Sequence, residues 1–141
     1  MSGGLKLLFD ENFGRPTVEK LRQFLAGTEP APELANVVDY LGGGKDEVWI
    51  PRLRAEGWIV ITADRGRRSG GVKLPGLCVA HGVTHVLLSK SVHHSSQFEK
   101  ARAVLAVWPE LGAAALAPAG TRFVLRFNSA GNPVLDQRAP G

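Results

Sequence analysis

An α/β fold with a mainly parallel sheet is the fold class that this sequence predicts. Short apolar runs, typical of buried strands, alternate with segments of helical periodicity in the order β-α-β-α-β-(α)-β-α-β. The chain has 141 residues, the usual length of one domain, and its 44% hydrophobic and 21% charged residues are typical of a globular protein. Because alternating strands and helices form βαβ units, the strands are expected to pair in parallel.

Five apolar runs are predicted to be strands. They span residues 5–9, 36–41, 58–62, 84–89 and 121–127. The glycines at 42–44 end the second strand, and Gly57 separates the third from the preceding helix. The last segment, 128–141, is polar and rich in turn residues, so we expect a flexible C-terminal tail there.

Helical periodicity is clearest in the first two predicted helices. The first begins near Arg15-Pro16, since proline suits a first helical turn, and ends near Gly27. The second spans 46–56, but Pro51 lies inside it, so its regular part is expected to begin near Trp49.

A third helix is predicted after Ser96-Gln97-Phe98-Glu99, which has the sequence of a capping box. Apolar residues recur along it at helical spacing and are expected to form its buried face: Phe98, Ala101, Leu105 and Trp108. Pro109 is expected to end it.

The net charge and the single cysteine limit the classes of protein to which this chain can belong. A formal charge of +4 permits an anionic partner, although it also simply keeps a domain in solution. Cys78 stands alone, so a disulfide framework is excluded. Because we find no signal peptide and no membrane-spanning run, we expect a cytoplasmic protein without a membrane partner.

Acidic residues follow two of the predicted strands and open one predicted helix. Asp10-Glu11 follows the first strand, Asp64 follows the third, and Asp46-Glu47 opens the second helix. The carboxyl ends of parallel strands meet at one edge of the sheet, where α/β folds place their sites. Converging carboxylates repel each other unless a cation or a proton neutralises them, and Mg²⁺ or Mn²⁺ prefers such oxygen ligands. The pattern therefore predicts a metal site on Asp10, Asp46 and Asp64.

Each of these acids also has a simpler interpretation. Asp10 and Asp64 are suited to turns after a strand, and Asp46 is suited to capping a helix. Glu47 is suited to solvent or to the positive end of the helix dipole. The three clusters together are more specific than any one of them.

A basic loop directly follows Asp64. Its cations are Arg65, Arg67, Arg68 and Lys73. Positive charge beside a metal site suits a phosphodiester backbone, so these four residues are candidate RNA contacts. On charge alone the loop is an ordinary solvated segment; its position next to Asp64 favours the functional interpretation.

The histidines do not indicate a zinc site. His81, His85, His93 and His94 match no standard zinc spacing, and only one cysteine is present. No nucleophile-elbow motif supports Ser-His-Asp catalysis.

Three segments together resemble the PIN-like domains of VapC-type toxins. They are 7–12 (LLFDEN), 45–51 (KDEVWIP) and 56–64 (EGWIVITAD), and Trp108-Pro109 after an amphipathic helix also fits. The resemblance covers about residues 5–110. It implies a three-layer α/β/α sandwich, with a single PIN-like domain over 1–127 and the tail over 128–141.

The resemblance also implies an activity and partners. Many PIN-like domains are Mg²⁺- or Mn²⁺-dependent endoribonucleases, and many of the toxins are held inactive by a cognate antitoxin. Asp10, Asp46 and Asp64 match the acidic positions of the family, and Glu11 and Glu47 match acids that accompany them, so all five are candidate catalytic residues. The chain departs from many members after Asp64, where arginines stand in place of a further acid, which leaves room for one ion instead of two.

Two other functions stay open on the sequence. A receiver-like phosphorylation domain also needs acids after its first strand and an aspartate after a later one, and Ser89-Lys90 would supply its hydroxyl and lysine. It leaves Asp46-Glu47 without a role. The other is a non-catalytic nucleic-acid or protein-binding module of the same fold. The late strand and tail are open to completing the sheet or to mediating a homodimer.

Overall fold

The computed structural model describes residues 5–9, 13–28, 31–36, 46–62, 78 and 81–138, with the backbone alone at 46–50. The strands are β1 (Lys6–Phe9), β2 (Glu33–Asn36), β3 (Ile59–Thr62), β4 (His85–Leu88), β5 (Arg122–Phe127) and β6 (Pro133–Arg138). The helices are α1 (Arg15–Phe24), α2 (Asp46–Glu56), α3 (Lys90–His93), α4 (Gln97–Ala106) and α5 (Trp108–Ala114).

The six strands form one sheet in the order β2-β1-β3-β4-β5-β6. β1 to β5 pair in parallel, and β6 alone pairs antiparallel, with β5. The sheet therefore confirms the predicted α/β class with mainly parallel strands. β1 has β2 on one side and β3 on the other, so the strand order reverses between β1 and β3, which makes this the topological switch point.

Side chains alternate between two cores, one on each face of the sheet. Leu7 and Phe9 of β1 point into the larger core, which also contains buried residues of α1, α4 and α5. Leu8 and Val60 point the opposite way, into a smaller core with Leu53 of α2. Because helices pack on both faces, the three-layer α/β/α sandwich is confirmed.

The helix α2 begins earlier than its proline suggests. It spans Asp46–Glu56 and contains Pro51, so the predicted range 46–56 is confirmed and the expectation that its regular part begins near Trp49 is wrong. Pro51 removes the backbone bond to residue 47, which is among the first bonds of the helix, and the turns that follow keep theirs.

The strand β2 lies before the segment predicted for it. It spans Glu33–Asn36, whereas 36–41 was the predicted range, of which 37–41 falls outside the described residues. The prediction relied on the apolar run at 36–41. The alternating exposure of β2, with Leu34 and Asn36 buried, is that of a half-buried edge strand.

The C-terminal segment forms regular structure as far as residue 138. The prediction of a flexible tail from residue 128 is therefore wrong over residues 128–138. β5 and β6 form a hairpin, and Leu135 of β6 packs against the larger core. The polar turn residues belong to the hairpin loop, where the Asn128 side-chain oxygen accepts hydrogen bonds from the backbone N–H groups of Ala130 and Asn132, both at 3.0 Å. That a single domain accounts for residues 1–127 stays a prediction.

The cap of α4 is confirmed, but its buried face is displaced from the predicted one. The Ser96 hydroxyl accepts a hydrogen bond from the Glu99 N–H at 3.1 Å. The buried residues of α4 are Lys100, Ala103 and Val104, whereas Phe98 is 74% exposed. The helix therefore directs one large apolar ring outward.

Candidate functional site

The carboxyl ends of β2, β1 and β3 lie side by side at one edge of the sheet. Phe9, the last residue of β1, is opposite Asn36 of β2 and Ile61 of β3. In open α/β sheets, ligands bind outside the carboxyl ends of the strands at the switch point, which is here the β1–β3 pair.

Most of the predicted site residues fall outside the part of the chain that the structure describes. These are Asp10, Glu11, Asp64 and the four basic residues Arg65, Arg67, Arg68 and Lys73. Phe9 directly precedes Asp10, and Thr62 precedes Asp64 by two residues. The structure therefore describes the strands that lead into the two aspartates, and both strands end at the switch point.

Asp46 and Glu47 are the first two residues of α2. α2 ends at Glu56, and Gly57, with its positive φ of 79°, turns the chain into β3. Eleven residues of helix rise about 16 Å, against about 13 Å for the four residues of β3. Leu53 packs with Leu8 and Val60, so α2 lies on the sheet. The helix ends beside the start of β3 and runs in the direction opposite to that strand. Its first turn therefore lies toward the carboxyl edge.

Two phenylalanines flank Asp10-Glu11-Asn12 in the sequence. Phe9 and Phe13 are fully buried, and their ring centroids are 4.6 Å apart. The Asn36 side-chain amide also donates a hydrogen bond to the Phe13 carbonyl at 2.8 Å. The residues on both sides of these acids in the sequence therefore belong to the larger core.

Asn36 is a residue that we missed as part of this site. It is only 3% exposed and ends β2 beside Phe9. Thr62, fully buried at the end of β3, is a second polar residue at this edge. The available signal was a polar side chain at the end of an apolar strand, which a buried position tolerates only when it is hydrogen-bonded.

Within the described ranges, no group of three or more His, Cys, Asp or Glu side chains is placed to hold a metal ion. His93 and His94 do stack, with 4.8 Å between ring centroids, but no third ligand joins them there. Asp10, Asp46 and Asp64 therefore stay predicted ligands of Mg²⁺ or Mn²⁺. What the structure adds is that β1 and β3, the strands that precede Asp10 and Asp64 in the chain, pair side by side in parallel.

Residues 5–72 match the family model of the PIN like domain. The matched segment is just under half of the chain and runs from β1 through β3. It therefore contains all three acidic clusters and both strands of the switch point. The match supports a PIN-like domain here, and the six-stranded, mostly parallel sheet is consistent with a PIN-like fold.

PIN-like domains are often nucleases, so the match suggests nuclease activity for this chain. No curated protein and no solved structure shows significant similarity to the chain. Among the described residues, no helix is both long enough and apolar enough to cross a membrane.

Proposed function

We propose that this protein is a metal-dependent endoribonuclease whose active site lies at the β1–β3 switch point. The observation that carries the proposal is the parallel pairing of these strands, with Phe9 opposite Ile61, inside the segment that matches a PIN like domain. This pairing leads the chain into Asp10 and Asp64 from neighbouring strands. α2 brings Asp46 toward the same edge.

Asp10, Asp46 and Asp64 would hold Mg²⁺ or Mn²⁺, which when bound supplies an activated water and neutralises charge on the phosphoryl group. Glu11 and Glu47 would accept hydrogen bonds from the attacking water and orient it. A carboxylate suits this role because, once ionised, it only accepts hydrogen bonds.

The basic loop would hold the RNA backbone next to the acids. Arg65, Arg67 and Arg68 follow Asp64 directly, and Lys73 follows within the same loop. Guanidinium groups bind phosphate through paired, charge-assisted hydrogen bonds. These cations would also offset the repulsion between the acids and the phosphodiester.

Cleavage of a mixed set of structured RNAs with added Mn²⁺ or Mg²⁺ tests the proposal. We expect cleavage that EDTA and Asp10→Asn both abolish. Glu110→Gln is the matched control, because it also removes one carboxylate, on the exposed first turn of α5. Cleavage that persists in Asp10→Asn would contradict the proposed site.

A receiver-like phosphorylation domain is the second candidate, and the strand order is the observation that favours it. The order β2-β1-β3-β4-β5 is also that of receiver-type doubly wound sheets. Ser89 and Lys90 directly follow β4, at the same edge as the ends of β1 and β3. The match to a PIN like domain favours the nuclease. Uptake of phosphate from a small phosphodonor, without RNA cleavage, would reverse this preference.

We also propose that the nuclease is the toxin of a type II toxin–antitoxin pair. An apolar groove of about 910 Å³ between α1 and α4 supports this proposal. Phe24 and Phe98 lie along it and are 71% and 74% exposed. Exposed apolar patches of this kind mark sites of protein–protein interaction.

The charges beside the groove indicate what kind of segment it would bind. Lys20 and Arg102 line it. Arg102 donates a hydrogen bond to Glu99 at 2.7 Å, and this bond raises the pKa of the guanidinium. An amphipathic antitoxin helix with acidic flanks fits an apolar groove with basic residues at its border.

A further inference from the structure

A basic depression of about 520 Å³ lies on the sheet at β4, β5 and β6. Among the described residues that line it, every charged side chain is basic: Lys90, Arg122, Arg126 and Arg138. The predicted RNA-binding loop, residues 65–73, is a different segment. The depression therefore adds a second concentration of positive charge to the molecule.

The arginines of β5 lie on the face opposite the larger core. Phe123 and Leu125 point into that core, and successive side chains of a strand point to opposite faces. Arg122, Val124 and Arg126 therefore share the other face, the one that α2 covers over β1 and β3.

The register of the hairpin places two like charges against each other. Arg122 of β5 is directly opposite Arg138 of β6. Like charges at opposed positions of an antiparallel pair destabilise the sheet. Arg138 is the exposed member of this pair and is accessible to an anion. By contrast, Arg126 is opposite Val134, and its side chain pairs with Asp136.

The cations are spread along the sheet. Lys90 follows β4 at the carboxyl edge, and Arg138 lies toward the opposite edge. Arg122 and Arg126 are four residues apart, about 13 Å along a strand. Lys90 and Arg138 are exposed, and neither has an ion-pair partner among the residues that the structure describes. An elongated polyanion fits this arrangement better than a single phosphate.

We propose that this basic face binds the phosphodiester backbone of a nucleic acid. That the ligand is RNA rests on the proposed function. Guanidinium groups bind phosphates in paired geometry and carry no base preference. The uncharged residues that line the depression, Leu87, Ser89 and Val124, offer no aromatic ring on which a base stacks. Binding here is therefore expected to be independent of sequence.

Fluorescence anisotropy of a labelled oligouridylate, measured in EDTA over a range of salt concentrations, tests the inference. The variants are Lys90→Gln, Arg138→Gln and the double substitution, all at exposed positions. Lys20→Gln on α1 is the matched control, because it removes one cation on the other side of the sheet. Circular dichroism confirms that each variant is folded.

We expect the double variant to bind several-fold more weakly than the unsubstituted protein. The slope of log affinity against log salt should become shallower by about 0.7 for each phosphate that the variant no longer neutralises. Lys20→Gln should bind unchanged, and oligothymidylate should compete about as well as oligouridylate, because the protein binds the phosphates.

Four results would overturn the inference. They are unchanged binding in the double variant, an equal loss in Lys20→Gln, failure of oligothymidylate to compete, and competition by polyglutamate as strong as that by oligouridylate. The last result would assign the face to an acidic protein. Because the assay contains no free metal, a protein that binds through this face but cuts no RNA would contradict only the proposed nuclease.

Discussion

Phe9 and Phe13, which flank Asp10-Glu11-Asn12 in the sequence, pack with their ring centroids 4.6 Å apart. Both rings are fully buried and belong to the larger core. A metal ligand has to be held close to its productive position, and supporting contacts of this kind do so.

Asn36→Ala should weaken the metal site as well as the fold. It leaves the buried Phe13 carbonyl without the Asn36 amide, and such a loss costs about 1–3 kcal/mol of unfolding free energy. Thr121→Val is the matched control, since it removes a buried hydroxyl's hydrogen bond to the Pro118 carbonyl just before β5, at the opposite edge of the sheet. Denaturant unfolding should show a similar loss of stability in both variants. Mn²⁺ titration should show weaker binding in Asn36→Ala alone. Equal Mn²⁺ affinities would mean that Asn36 does not position the acids.

Leu53→Ala should loosen α2 and so impair the contribution of Asp46. Leu53 is fully buried in the smaller core, and removing such a side chain costs about 2–5 kcal/mol. Leu111→Ala removes a comparable side chain of α5 from the larger core. With both variants held at a temperature where they are folded, only Leu53→Ala should lose RNA cleavage beyond its loss of folded protein. An equal loss of RNA cleavage in both variants would mean that α2 does not contribute to the site.

Phe98→Ser should disrupt antitoxin binding without harming the nuclease. Phe98 is 74% exposed in the groove between α1 and α4, so its removal should leave stability within about 0.5 kcal/mol. A buried aromatic anchor at an interface contributes about 2 kcal/mol or more, so the Kd for the antitoxin should rise at least tenfold. The measurement is a pull-down and calorimetric titration with the product of the neighbouring gene. Leu116→Ser, at an exposed position outside the groove lining, serves as the control; an equal effect of both would exclude the groove.

Removing residues 128–141 should destabilise the protein, in contrast to removing a tail. The deletion takes away β6 and leaves the β5 edge unpaired, and an exposed strand edge promotes aggregation. Removing only 139–141 is the control. Thermal unfolding and light scattering should show a lower Tm and self-association for the longer deletion alone. Unchanged behaviour would restore the interpretation of this segment as a tail.

The sequence predicted the parallel core of the fold because its signals are local. β1, β3 and β4 are short apolar runs, and such runs are buried on both faces of a sheet. Of the edge strands, β2 was predicted too late in the chain and β6 was missed, because their signal is alternation over few residues, interrupted by polar side chains. Phe98 was placed inside because a periodic pattern gives a helix face but not which neighbour covers it.

The candidate site stays a prediction, and it rests on a different kind of signal. Strand ends locate a site in an α/β fold, so acids after two strands were enough to propose one. The support from Asn36 and Phe13 was not predictable, since it depends on β2 pairing beside β1 in a particular register. The basic face of β5 and β6 was missed because opposed arginines become neighbours only through the register of the hairpin.

Calorimetric titration of the metal-free protein with Mn²⁺ tests the central claim most directly. We predict saturable binding to the unsubstituted protein and to Glu110→Gln, and its loss in Asp10→Asn and Asp64→Asn, with all variants folded by circular dichroism. Binding of Mn²⁺ by the aspartate variants with unchanged affinity, or no binding by the unsubstituted protein, would contradict a metal site at the switch point.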